Sequence, residues 1–418
     1  MRISKIAGET STPPILRVAA QINEKIARGE RFFNFTVGDF DSRIFPIPEA
    51  LSEAIIDGYR EHQTNYPGAV GLPSLREGVS NLVRHFAGLE YDPSEIQVSS
   101  GSRPLIYGMY RTVVDPGDRV VYPVPSWMND SYCHLCQAVA VPVSTRPENN
   151  FLPTAEELEP YLADAAMLAL CSPQNPTGTV FGADQLREIC ELVVAENRRR
   201  GTGAKPLYVM FDQVYWLLTF EGIEYPHPVR LCPEVRDYLL AADGLSKAFA
   251  GTGVRVGWGL GPRHLIRSVS DIIAYVGAWA PKAEQVAVGK YLEDMAGVES
   301  FLVPFRRALN ERLDAIYRGF VAMKSRGLDV DAIAPQAGIY LTVRIGLVGR
   351  RTPSGQVIGS ADDALRYLLD EARVGILPFS FFGAADMGQW FRISVGTCRM
   401  ESIDELLGSL EKALSALE

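Results

Sequence analysis

The chain has 418 residues, 47% of them hydrophobic and 22% charged, with a net charge of −9. That length exceeds what one core usually fills, so two domains are expected, and the composition is that of a folded enzyme. The acidic balance argues against non-specific nucleic-acid binding, which needs a basic surface, and six cysteines in so long a chain do not make a disulfide framework.

The first ten residues, Met1 to Thr10, hold no apolar run of the kind that opens a signal peptide, so a cytoplasmic protein is expected. Pro73 followed by Leu75, Val79, Leu82, Val83 and Phe86 predicts a helix with proline in its first turn and one apolar stripe. Runs at 96–98, 119–122, 138–143, 167–171, 207–211, 238–242 and 256–260 read as buried strands. Helix candidates such as Asp184 to Arg200 lie between them, an alternation that predicts an α/β sheet covered on both faces. Cys133-His-Leu-Cys136 has metal or redox spacing, but no second pair lies nearby, and two reduced thiols are the simpler reading. The stretch Ala165 to Ala183 carries no charge, yet Pro173, Asn175, Pro176 and Gly178 mark its second half as a loop and not a membrane span. Beyond about residue 300 the pattern changes. A long helix (Phe301 to Arg326), Tyr340–Arg344, a loop around Gly346 to Gly359, another helix, Phe391–Val395 and a last helix predict a smaller α+β unit.

Several residues could carry chemistry. Ser99-Ser-Gly101-Ser102-Arg103 joins a strand to a helix, where free backbone N–H groups suit an anion; Ser102 as a plain helix cap explains the same residues. Asn175, after the strand ending at Cys171, sits where open sheets bind ligands, although Asn-Pro-Thr-Gly also fits an ordinary turn. Asp212 ends another strand and could hold a proton on a ring nitrogen, or simply cap a turn. Lys247, between an apolar run and a glycine-rich turn, could attack an aldehyde if burial lowers its pKa. Arg255, eight residues later, offers a guanidinium fork to a phosphate or carboxylate. In Gly251-Thr-Gly253-Val-Arg-Val-Gly257 the third glycine comes one position late for a dinucleotide fingerprint.

In chain order these segments resemble the class I/II aminotransferases, the aspartate-aminotransferase-like enzymes of fold type I that use pyridoxal 5′-phosphate. The resemblance runs from about residue 35 to 395. It rests on Val37-Gly-Asp-Phe40, Asn65-Tyr66-Pro67 with Gly71, Ser100-Gly101-Ser102, Trp127, Ser172-Pro-Gln-Asn175-Pro-Thr-Gly178, Phe211-Asp212-Gln-Val-Tyr215, Ser246-Lys247 with Arg255, and Phe391-Arg392-Ile-Ser. It implies a large cofactor-binding domain over 47–300, with a mostly parallel sheet between helices. A small α+β domain would be made of 1–46 and 301–418.

The resemblance implies a role for each matching residue. Lys247 would hold the cofactor as an aldimine and then act as acid and base. Asp212 would pair with the pyridine nitrogen, Asn175 and Tyr215 with the phenolic oxygen, and Trp127 would stack on the ring. Gly101, Ser102, Arg103, Ser246 and Arg255 would hold the phosphate, joined by Tyr66 from a second subunit, which implies a homodimer with shared sites. Arg392, assisted by Gly38 and Asn175, would grip the substrate α-carboxylate. There are two departures from the family pattern. Gly244 stands where many members carry a phosphate-binding serine, and the aromatic segment Leu377–Gly383 replaces a more usual Pro-Gly near the substrate. Arg43 and Arg103 are candidates for a substrate side-chain carboxylate.

The implied function is an aminotransferase that moves an amino group from an α-amino acid to a 2-oxo acid through pyridoxamine phosphate. A β-lyase, decarboxylase or oxidative deaminase on the same scaffold is the alternative. A cofactor-binding regulator is disfavoured by the acidic charge and the lack of a DNA-binding segment. No metal is called for.

Overall fold

The computed structural model describes residues 3–10 and 14–418. A seven-stranded sheet organises the middle of the chain, in the order Ile96–Ser99, Gly257–Leu260, Leu239–Gly244, Tyr208–Asp212, Ala165–Cys171, Arg119–Val124, Val139–Ser144. Gly257–Leu260 runs antiparallel to both neighbours, while the other paired strands are parallel. Helices cover the sheet, so its central strands are mostly apolar, and Ala165–Leu170 and Leu239–Gly244, Asp243 included, are buried at every residue.

The predicted strands appear within two residues of their expected ends, with one correction. The run at 138–143 is not a buried strand. Val139–Ser144 is the sheet edge, with Val141 and Val143 buried on one face and Val139 47% exposed. An apolar composition hid this alternation, because alanine and proline stand on the open face.

Helix Pro73–Ala87 begins at its proline and ends on Gly88 in the left-handed region, φ 63°. Helix Ala183–Arg200 carries Arg198, Arg199 and Arg200 in its last turn, where cations favour the helix dipole. The long helix starts earlier than expected, at Met295, and runs to Ser325 with Asp294 as its cap. Val298 and Leu302 belong to the core of the large sheet, whereas Phe305, Leu309, Leu313, Ile316 and Phe320 belong to a second core. One helix thus anchors both, and Pro304, which has no N–H to donate, falls at the changeover.

The second core covers a four-stranded antiparallel sheet, in the order Leu377–Pro378, Trp390–Ser394, Tyr340–Ile345, Val330–Ala332. A short parallel pair, Phe33–Asn34 with Val374–Gly375, ties the N-terminal segment to this part. These two- and three-residue strands are too short to show periodicity. Among the described residues, no helix is long and apolar enough to cross a membrane.

Candidate active site

The parallel strands end on one side of the large sheet, and their following loops converge there, as open α/β sheets arrange their ligand sites. A cavity of about 480 Å³ opens at this edge, within the usual range for a small-molecule site. It is lined by Gly38, Ser102, Arg103, Trp127, Asn175, Asp212, Tyr215, Ser246, Lys247, Arg255 and Arg392. Of the thirteen residues to which the resemblance gives a role toward cofactor or α-carboxylate, Gly101 and Tyr66 are absent from this lining.

Gly101 lies directly behind it. It caps helix Ser102–Val113 with φ 90°, and a side chain there would meet the Arg255 guanidinium at 2.3 Å. Ser102 is therefore the first helical residue and not the cap. No side chain satisfies the helix N-terminus, so its N–H groups stay available to an anion. Arg255 is held over this point by donating to the carbonyls of Thr252 (2.6 Å) and Ser100 (3.0 Å).

Lys247 follows the strand Leu239–Gly244 on one helical turn, Leu245–Ala248, and its Nζ donates to the Gly38 carbonyl. Burial, reinforced by Arg392 and Arg103, pushes its ammonium down to about 8 despite the opposing charges of Asp39 and Asp212. Asp212 stands at the end of its strand, with Oδ1 accepting from the Val214 amide at 3.2 Å. Burial raises its carboxyl to about 6, and Lys247 pulls the other way.

Arg392 lies on the middle of its strand, 1% exposed, between Thr342 and Leu377. It donates to Asn175 Oδ1 at 3.0 Å and to the Thr36 carbonyl at 2.7 Å, while its Nε has no partner among the described residues. Its guanidinium carbon stands 4.4 Å from the Tyr340 ring centre and 4.9 Å from that of Phe382. Because Asn175 Oδ1 accepts from Arg392, the amide NH₂ is left to donate elsewhere.

The departures from the family pattern have steric reasons. A Cβ on Gly244 would lie 2.8 Å from Gly257 Cα, its partner on the next strand, so a serine does not fit there. The aromatic segment places Phe382 against Arg392 and beside Trp127, with ring centres 6.1 Å apart. Arg43 is not in the cavity; it is an exposed residue paired with Asp41. Arg103 is, with its guanidinium 5.6 Å from the Trp127 ring centre. Tyr66 is 84% exposed on the surface, edge-on to Trp279 at 5.3 Å. Cys133 and Cys136 are both buried, with their thiols pushed up by that burial, and His134 Nε2 turns instead to the Ile6 carbonyl.

Three further lining residues that bear directly on the predicted ones were given no role in the sequence: Tyr340, Asp39 and Thr252. Tyr340 Oη lies 2.8 Å from Tyr215 Oη, and a Cβ on Gly38 would meet that same Tyr340 oxygen at 2.3 Å. Asp39 accepts from the Thr252 hydroxyl and faces Lys247 from the N-terminal segment. Only the neighbourhood of Gly38 could have signalled Asp39; Tyr340 and Thr252 stand out by no motif.

The family model for aminotransferase class I and II matches residues 30–410. The aspartate aminotransferase of Rhizobium meliloti (strain 1021) is 28% identical over 407 residues, covering 97% of this chain and 93% of the relative. A probable aspartate/prephenate aminotransferase of Rickettsia felis is 27% identical, covering 97% and 94%. The crystal structure of an aspartate aminotransferase from Rhizobium meliloti superposes with a TM-score of 0.90 at 25% identity, over 100% of both chains. That of Thermus thermophilus, with maleate, gives 0.87 at 26%, over 99% and 100%. The expected fold type I architecture is thereby shown, and the chain belongs to the class I and II aminotransferases, enzymes that transfer amino groups.

Proposed function

We propose that the cavity holds pyridoxal 5′-phosphate, and that the enzyme uses it to move an amino group from an acidic α-amino acid to a 2-oxo acid. The observation that carries this is the meeting of Lys247, Asp212 and Arg392, from three distant stretches of chain, in one cavity. The charges support the fit. Four cations (Lys247, Arg103, Arg255, Arg392) face two carboxylates (Asp39, Asp212), a balance that a phosphate and a substrate carboxylate would correct. When bound, the cofactor supplies an electron sink and stores the amino group between half-reactions.

The chain's own residues divide the work. The uncapped helix start at Gly101, Ser102 and Arg103, with Ser246 and Arg255, would hold the phosphate. Asp212, buried at the end of its strand, would as a carboxylate keep a proton on the ring nitrogen. Asn175 and Tyr215 would donate to the phenolic oxygen, and Trp127 would cover the ring. Lys247 would hold the cofactor and move a proton on and off the substrate Cα, for which a pKa of about 8 is well suited. Arg392, with Asn175 and the Gly38 backbone, would bind the α-carboxylate; its unpartnered Nε supports that role. Arg103 would meet a side-chain carboxylate, in keeping with relatives named for aspartate.

Exposed Tyr66 would complete the phosphate site of a second copy, making the enzyme a homodimer. The division into 47–300 and 1–46 with 301–418 is supported by the separation of the seven-stranded sheet from the four-stranded sheet and the short pair. A cytoplasmic location is supported by six free cysteines.

Mixing the purified, cofactor-loaded enzyme with single amino acids in the absence of a 2-oxo acid tests the reaction. Stoichiometric conversion of the cofactor's absorbance to that of its amine form, fastest with aspartate or glutamate, is the expected result. Release of ammonia, pyruvate or CO₂ with unchanged absorbance would overturn it in favour of lyase, decarboxylase or deaminase chemistry.

A further inference from the structure

A second cavity, of about 650 Å³, lies on the far side of the segment that carries Tyr215. One wall is cationic. Arg306 and Arg307 of the long helix and Arg230 face it, against the single exposed carboxylate of Glu221. Among the described residues none of the three arginines is in an ion pair; Arg230 donates to the Ala87 carbonyl, and Glu299, whose charge reaches Arg306, bonds His85 at 2.7 Å. The opposite wall is apolar and aromatic, built from Phe86, Trp216, Phe220 and Tyr225. His227 completes it. This residue is 3% exposed, its Nδ1 accepts from the Val229 amide, and its Nε2 has no partner among the described residues. Burial, with Arg230 and Arg236, pushes the imidazole to about 3, so the ring is neutral and its proton sits on Nε2 as an unused donor.

We propose that this cavity is a second ligand site, for a small carboxylate with an apolar or aromatic body. The ligand's carboxylate supplies the counter-charge that the protein itself does not give the guanidinium wall, and its apolar body covers the aromatic wall that an inorganic anion would leave bare. Partly desolvated Arg306 gains most from such a ligand, because an unpaired cation is costly wherever water is scarce.

The site is connected to the first cavity. Trp216–Leu218 begins immediately after Tyr215. The same segment is bonded to the loop before Tyr340, through Phe220 N to Gln336 O and Gly338 N to Leu218 O, both 3.0 Å, and through the bridge Thr219–Ala337. A ligand held between the long helix and Trp216 therefore bears on the placement of both active-site tyrosines.

Calorimetric titration of the cofactor-loaded enzyme with 3-phenylpropionate tests the site, with Trp216 fluorescence as a second readout. Two binding events per chain are expected. Arg392→Ala should remove one. The double variant Arg306→Gln with Arg307→Gln should weaken the other by about tenfold or more, as loss of charged contacts does, and leave turnover intact. A single event that only Arg392→Ala abolishes would overturn the site. Inorganic phosphate binding there as tightly as 3-phenylpropionate would overturn the ligand class. An enzyme that fails to transaminate yet keeps the Arg306-dependent event would sink the proposed reaction and not this site.

Discussion

Lys247 is held in a place that disfavours its charge. Its pKa falls from 10.5 to about 8, so between those values the unfolded chain binds the proton and the folded chain does not. Stability from this group therefore rises as pH climbs from about 8 to 10.5, and the full penalty is present below 8. We expect Lys247→Met to melt higher than the wild-type chain, both free of cofactor, by about 2 kcal/mol near pH 7, given some screening by cavity water. The gap should close toward pH 10.5; an equal gap at both pH values would contradict the assignment. Burial also disfavours the charge of Arg392, but a guanidinium stays protonated there, and its proposed role is toward substrate. Arg392→Ala should raise the apparent KM for the amino acid by about 2–5 kcal/mol equivalent, read from steady-state kinetics, with cofactor absorbance retained. Both residues were legible from sequence because each stands in a local motif. Tyr340 and Asp39 were not. Each contacts a partner more than a hundred residues away, and although Asp39 stands beside Gly38, the flanking residues do not record that partner.

At the level of the element, the crowded edge where strands Leu239–Gly244 and Gly257–Leu260 meet helix Ser102–Val113 depends on missing side chains. Gly244 faces Gly257, and Gly257 lies so close to Gly101 that a Cβ would meet its carbonyl carbon at 2.5 Å. Restoring the serine that many family members carry should therefore be harmful here. Gly244→Ser should lower stability by roughly 1–3 kcal/mol in thermal melts and should not tighten cofactor binding. A variant with unchanged melting and tighter binding would show that the edge can open. The same elements explain which helices and strands could be read in advance. Pro73–Ala87 and Ala183–Arg200 are long and periodic, so their stripes are unambiguous. Val139–Ser144 was misjudged because edge and centre strands share a composition, and only the neighbouring strand distinguishes them.

For the whole molecule, the surface around Tyr66 carries a proposal the single chain cannot satisfy. Tyr66, Tyr59 and Tyr275 are all strongly exposed, more aromatic area than a lone chain gains by presenting to water. Mixing Tyr66→Phe protomers with Lys247→Ala protomers should yield hybrids in which half the sites regain tight cofactor binding, measured by equilibrium dialysis. A strictly monomeric protein in sedimentation would refute the shared site. The sequence by itself determined the alternation of strands and helices, the loops at strand ends and the ordered motifs around Asn175, Asp212, Lys247 and Arg392. These depend on local periodicity and on chemistry confined to a few neighbours. Tertiary structure alone decided the buried setting of Arg392 and the pairing of Tyr215 with Tyr340. It alone decided the steric need for Gly244, and the cationic cavity that Arg306 and Arg307 share with Trp216. The Gly244 crowding arises between neighbouring strands of the large sheet, and the others where the long helix or the small sheet closes against it; no local motif records any of these contacts.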